Sequence, residues 1–294
     1  MAEGRTGSTV PRRQLGRFLR NLRNEARLTV RAAARKLEWS EPKIWRIETG
    51  QTSLRSLDVE AMCRIYGAPA DLTEALMGLA KETKARGWWH AYGDVIPEGF
   101  DLYIGLEEAA SDLSWYESDL IPGLLQTEDY AHAVIRAHNP DEDPDEIERR
   151  VHLRIARQGA LTRVTDPPRL DVVVSEGALR RLIGGKKVMA GQLTHLVEMA
   201  KLPNVTIRVV TFDAGLHLGV LSGPFIILRF PSNGSVQTEP PTVYSDGYTG
   251  DLYLDKPNEV ERYDAAFKDI WSTALTEEAS MRLLTELVGS YEQG

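Results

Sequence analysis

The sequence is nearly without cysteine. Cys63 is the one thiol in 294 residues, so no intrachain disulfide can form and no cluster of thiolates can hold a metal. We expect it to act as a small buried hydrophobe. Runs of about 18 apolar residues are missing, and no apolar segment follows the opening MAEGRTGSTVPRRQ, so neither a membrane span nor an export signal is expected and the location is read as cytoplasmic. Catalytic signatures are missing too: there is no HExxH, no GxSxG and no phosphate-cradling glycine loop. The six histidines (His90, His132, His138, His152, His195, His217) are scattered, and none stands at metal-ligand spacing from another histidine or a cysteine. These absences lead to the expectation that the chain is not an enzyme and needs no cofactor.

What is present is an uneven distribution of charge. The net charge is -8, but residues 1–86 carry 17 Lys and Arg against 10 Asp and Glu, a net of +7, and the rest carries -15. Phosphates attract the first part and are repelled by the second, so double-stranded DNA, if bound, is met by the N-terminal part. The chain is long enough for about two domains. We place them at 1–86 and 87–294, the second divided into a helical part, 87–165, and an α/β part, 166–294.

The N-terminal part reads as helices. Residues 1–11 are polar and read as an arm whose Arg5, with Arg12 and Arg13, can meet phosphates. A helix from Arg12 carries Leu15, Phe18, Leu19 and Leu22 on one face. Thr29 caps a second helix with Val30, Ala33, Ala34 and Leu37 on its apolar stripe; after a turn at Glu38-Trp39, Ser40 caps a third with Pro42 in its first turn and Ile44 and Ile47 inward. Glu41, Lys43, Trp45 and Arg46 then point outward. Ser56 caps a fourth helix burying Leu57, Ala61, Met62 and Ile65, and a fifth pattern with Leu72, Leu76 and Leu79 extends to about Arg86. Two helices joined by a short turn, the second bearing long polar side chains, have the shape of a helix-turn-helix, although a plain helical hairpin has the same pattern.

Further along, the aromatic cluster Trp88, Trp89, Tyr92 and Phe100 follows a hinge at Gly87, with Pro97 and Gly99 nearby. Leu106 to Leu120 is read as a helix carrying Trp115 and Tyr116. Asp143, Pro144 and Glu146 mark another helix start. Strands are expected at Leu170–Val174, Val205–Phe212, Phe225–Phe230, Val243–Tyr244 and Leu252–Leu254, and two helices close the chain. The body is therefore α+β, a small mixed β-sheet flanked by helices with an α-helical lead-in. Its candidate ligand or partner residues are Trp88, Trp89, Tyr92, Glu107, Glu117, Gln126 and His217, the last in a glycine-flanked loop.

The LTV start at Leu28–Val30, the Ser40-x-x-x-Ile44-x-x-Ile47-Glu48-x-Gly50 run and the flanking helices resemble the Xre family of helix-turn-helix regulators, related in fold to the lambda-type repressors. The resemblance implies a five-helix lambda-repressor-like domain, a homodimer, base contacts from Glu41, Pro42 and Arg46, a phosphate near Lys43, and a backbone clamp from Thr29 and Arg35. Ser40, Trp45 and Arg55 complete the candidate DNA-binding set. Glu38 and Pro42 depart from the family, which often has a turn glycine and a base-reading glutamine there. The run from Leu106 through Trp115-Tyr116-Glu117 and Ile121-Pro122-Gly123-Leu124-Leu125-Gln126-Thr127 to Tyr130-Ala131 is similar to a domain of unknown function in actinobacterial regulators of the WhiJ-like group. A sequence-specific transcriptional regulator sensing a small molecule or a partner protein is thus expected. The alternatives are an antitoxin-like interaction module or a DNA-tethered enzyme with a phospholipase D-like fold; the second lacks that fold's histidine-x-lysine pair, since His195 is followed by Leu196 and Val197.

Overall fold

The computed structural model describes residues 9–83, 88–92, 94–96, 100–233, 236–237, 239–248 and 250–292. Arg5, the hinge at Gly87, Arg86, Pro97 and Gly99 lie outside the described residues. The chain forms two compact units: 1–93 with 97–109 and 232–239, and 94–96 with 110–231 and 240–294.

The first unit holds α1 (Thr9–Glu25), α2 (Val30–Leu37), α3 (Glu41–Glu48), α4 (Ser56–Tyr66), α5 (Ala70–Glu82) and α6 (Phe100–Ala109). A short hairpin also belongs to it, β5 (Ser232–Asn233) with β6 (Val236–Gln237). Leu15, Leu19, Leu22, Ala33, Ala34, Ile44, Ile47, Val59, Met62 and Cys63 form the core of α1 to α5. Alanines at 33 and 34 keep α2 thin, and Gly16 lets α1 approach α3: a Cβ there would stand 2.5 Å from the Ile47 carbonyl oxygen. Gly50 meets two demands, a φ of +76° and a backbone pressed against Arg13, whose Cα a Cβ would reach at 2.8 Å.

Several expectations shift here. Helix α1 begins at Thr9, three residues before Arg12. Phe18 is 41% exposed and Leu57 70% exposed, because the buried stripes run through Leu15, Leu19 and Leu22 and through Val59, Met62, Cys63 and Tyr66. The position before α4 is held by Arg55 without a side-chain cap, while the Ser56 hydroxyl donates to the Met77 carbonyl.

The second unit is built on a six-stranded sheet in the order β3-β2-β1-β4-β7-β8. Its strands are β1 (Asp112–Glu117), β2 (Arg169–Ser175), β3 (Val205–Val210), β4 (Phe225–Arg229), β7 (Thr242–Ser245) and β8 (Leu252–Leu254). The first three run parallel, with Trp115 beside Val172 and Val172 beside Ile207, and β4, β7 and β8 follow antiparallel. Helices α7 (Glu128–His138) and α8 (Pro144–Arg157) precede β2 with the short α9 (Gly159–Thr162). Between β2 and β3 lie α10 (Glu176–Arg180) and α11 (Lys186–Met199); α12 (Leu218–Ser222) precedes β4, and α13 (Pro257–Thr273) and α14 (Glu277–Glu292) end the chain.

The expected helix through Trp115 and Tyr116 is overturned. The helix there is α6, which ends at Ala109, and Trp115 and Tyr116 belong to β1 at the centre of the sheet. Leu113, Ser114, Trp115 and Tyr116 are all buried. A strand covered on both faces loses the alternation that marks a half-exposed one, so its apolar spacing merges with that of the preceding helix.

Candidate functional site

The helix-turn-helix segment is built as the caps require. The Thr29 hydroxyl accepts from Ala32 N at 3.1 Å and the Ser40 hydroxyl from Lys43 N at 3.3 Å, satisfying N–H groups that the helix starts leave open. Between them Glu38 closes α2 in the left-handed conformation, φ 56° and ψ 37°. Glycine would take that backbone without steric cost; glutamate takes it because the turn leaves no other path.

On α3, Ile44, Ile47 and Glu48 are buried, and Glu41, Pro42, Trp45 and Arg46 are exposed, Trp45 at 54%. The Lys43 ammonium lies over the Trp39 ring, 3.4 Å from its centroid. Arg35 and Arg46 are exposed, and neither has an ion-pair partner among the described residues. Arg55 instead grips Asp58 with two donors, Nε to Oδ2 at 2.9 Å and Nη2 to Oδ1 at 3.2 Å. The structure thus brings Glu41, Pro42, Lys43, Trp45 and Arg46 onto one helix, with Thr29 and Ser40 serving as caps.

Beneath α3 stands an ion pair between α1 and α3. Arg23 of α1 donates from Nε and Nη2 to the two oxygens of Glu48 at 2.6 and 2.7 Å, and from Nη1 to the Leu28 carbonyl at 2.8 Å. Both residues are buried, and the pair ties the end of α3 to α1. Arg13 and Arg17, also of α1, converge on Glu239: Arg13 Nε at 2.8 Å from Oε1, Arg17 Nη1 at 2.6 Å from Oε1 and Nη2 at 2.8 Å from Oε2. The Glu239 side chain is fully buried. Arg13, expected to meet a phosphate, is therefore held by a carboxylate of its own unit. The only signal for this in the sequence was the number of arginines on one helix, and the partner 226 residues away gave none.

The candidate ligand residues divide between the units. Trp88, Trp89, Tyr92 and Glu107 lie in the first. Trp88 is edge-on to both Trp89 and Tyr92, at 6.1 and 6.2 Å, and Tyr103 donates to the buried Glu107 carboxylate at 2.7 Å. Glu117, Gln126 and His217 lie in the second. Glu117 ends β1 and accepts from Trp115 Nε1 at 3.1 Å; burial, with Asp246 and Asp119 adding to it, pushes its carboxyl up to about 7. Gln126 is buried, donates to the Ile121 carbonyl at 2.7 Å and accepts from Arg154 at 3.0 Å. His217 accepts from Gly219 N and meets the Tyr116 ring edge-on at 6.0 Å. Asp251, next to β8, is pushed up to about 6 by burial and by the Asp246 carboxylate. The ends of β1 and β7 and the start of β8 thus lie at one acidic end of the sheet. Among the described residues no helix is long and apolar enough to cross a membrane.

A helix-turn-helix domain model matches residues 14–76. No curated protein and no solved structure matches the chain. A second family model, described as a domain of unknown function (DUF5753), matches residues 100–286. The chain belongs to the DUF5753 family and carries a helix-turn-helix domain ahead of that region.

Proposed function

We propose that the protein is a sequence-specific transcriptional regulator of the Xre type that acts by binding and not by turnover, with α3 entering the major groove. The observation that carries the reading is α3 itself, anchored on one side by Ile44, Ile47 and the Arg23–Glu48 pair and offering Glu41, Pro42, Trp45 and Arg46 outward on the other. In this reading Arg46 donates to guanine O6 and N7, and Glu41 accepts from cytosine N4. Lys43 and Arg35 meet phosphates. Pro42 has no side-chain donor, so Arg46 carries most of the direct readout.

The active form is a homodimer whose two α3 helices read half-sites about 34 Å apart. The DUF5753 region supplies the regulatory input, a small ligand or a partner protein that binds one conformation better than another. Selection of bound DNA from a random pool at physiological salt tests the reading. Enrichment of a motif with two related half-sites is expected; failure to enrich any motif overturns it.

A further inference from the structure

Helices α7 and α8 each carry a glutamate and a histidine four residues apart, Glu128 with His132 and Glu148 with His152. That spacing is one helical turn, so each pair shares a helix face. The two faces meet. Donor atoms of Glu128, Glu148 and His152 lie within 4.8 Å of one another, and His132 Nε2 stands 3.3 Å from a Glu148 oxygen. The helices run antiparallel, so Glu128 falls beside His152 and His132 beside Glu148.

Two carboxylates are thus held together at the surface, and among the described residues neither forms an ion pair with a lysine or arginine. A divalent cation between them would offset that repulsion. The apolar contact beneath is small, Ala131, Ile135, Ile147 and Val151 with Ile155 against them, so a cross-link between the helices would add to it.

We propose that Glu128, His132, Glu148 and His152 form a two-helix site for a divalent first-row transition cation, with zinc the best match. Two imidazoles and two carboxylates make the four-ligand N/O set that zinc takes in tetrahedral geometry. Calcium and magnesium favour oxygen-only shells, and two of these four donors are nitrogens. Ligand atoms around tetrahedral zinc stand about 3.3 Å apart, so Glu128, Glu148 and His152 have to close by up to about 1.5 Å, while His132, 3.3 Å from Glu148, has to swing toward the other two. Glu128, Glu148 and His152 are exposed and His132 is half-buried. The inference is independent of the DNA-binding reading.

The test uses the full chain, stripped with a chelator and titrated with zinc chloride by calorimetry and with cobalt chloride by visible absorption. One equivalent per chain is expected, with the intense visible bands of tetrahedral cobalt and a rise in melting temperature on adding zinc. His152→Ala and Glu148→Gln should each weaken zinc binding at least about tenfold. His138→Ala, which removes a histidine at the far end of α7, should leave it unchanged. Absence of binding to the unaltered chain, an equal response to magnesium, or zinc binding that survives the double variant H152A/E148Q would each overturn the proposal.

Discussion

Replacing Glu48 with alanine should strongly destabilise the helix-turn-helix unit. The carboxylate accepts two donors from Arg23 at 2.6 and 2.7 Å, and both side chains are almost completely buried. Removing one member leaves a guanidinium in the core with only the Leu28 carbonyl and the Asn24 side chain as described acceptors. An uncompensated buried charge of this kind costs about 3–5 kcal/mol. Removing both members is a different perturbation: Arg23→Met with Glu48→Leu keeps the volume, relieves the desolvation of two ions, and should fall within about 1 kcal/mol of the parent or above it. A double-mutant cycle separates the coupling from the individual losses. Urea unfolding followed by tryptophan fluorescence suits the measurement, because Trp39 and Trp45 lie in the segment concerned. A Glu48→Ala variant that loses less than about 1 kcal/mol would refute the reasoning, since it would mean that water reaches the pair and screens it.

Three further outcomes are expected. Arg46→Ala should relax specificity at one base pair and cost about 1–3 kcal/mol in DNA binding, while Lys43→Ala should weaken all sequences evenly and reduce the salt dependence by about one phosphate contact; competition binding against a panel of single-base variants reads both, and an unchanged preferred motif in R46A would remove Arg46 from the base-reading role. Glu117 has its folded-state pKa raised to about 7 from the ordinary carboxyl value of about 4.5, so the folded state binds the extra proton and stability is highest below the lower value and falls as pH rises toward the upper one. Glu117→Gln should therefore stabilise the chain by up to about 3 kcal/mol at pH 8 and by little at pH 4.5, as thermal melts at the two pH values would show; an equal gain at both would exclude titration of this group as the cause. Glu38→Gly should raise stability by about 0.5–1 kcal/mol, the left-handed strain of a side-chain-bearing residue less the extra chain entropy of glycine, and a fall in melting temperature would argue that Glu38 makes a compensating contact.

Much of the DNA-facing half was legible because its rules are local. Thr29, Ser40 and Pro42 announce helix starts within three residues, and Ile44 with Ile47 fixes which face of α3 turns inward. Strand β1 was not legible, since a strand with neighbours on both sides and cover on both faces buries Ser114 along with Leu113, Trp115 and Tyr116 and shows no alternation of polar and apolar residues. The carboxylates facing the α1 arginines were invisible for another reason: Glu239 is 226 residues from Arg13, and nothing in either local pattern refers to the other. The Glu–His pairs of α7 and α8 illustrate a third failure. Histidines sought only at short spacings from other histidines look scattered, and only the packing of two helices makes His132 and His152 neighbours of the same glutamate.

The position of Glu239 bears on how this protein can be taken apart or recombined. The segment 232–239 and helix α6 fall in or beside the stretch matched as DUF5753, yet both belong to the compact unit that carries the helix-turn-helix. A DNA-binding fragment cut after α5 would lack α6 and would leave Arg13 and Arg17 without their shared carboxylate, so its affinity for nucleic acid would be inflated by the one positive charge that Glu239 offsets in the whole chain. For the same reason, a helix-turn-helix grafted in place of α1 to α5 needs cations at the places of 13 and 17, since without them the buried Glu239 carboxylate stands uncompensated at a cost of about 3–5 kcal/mol.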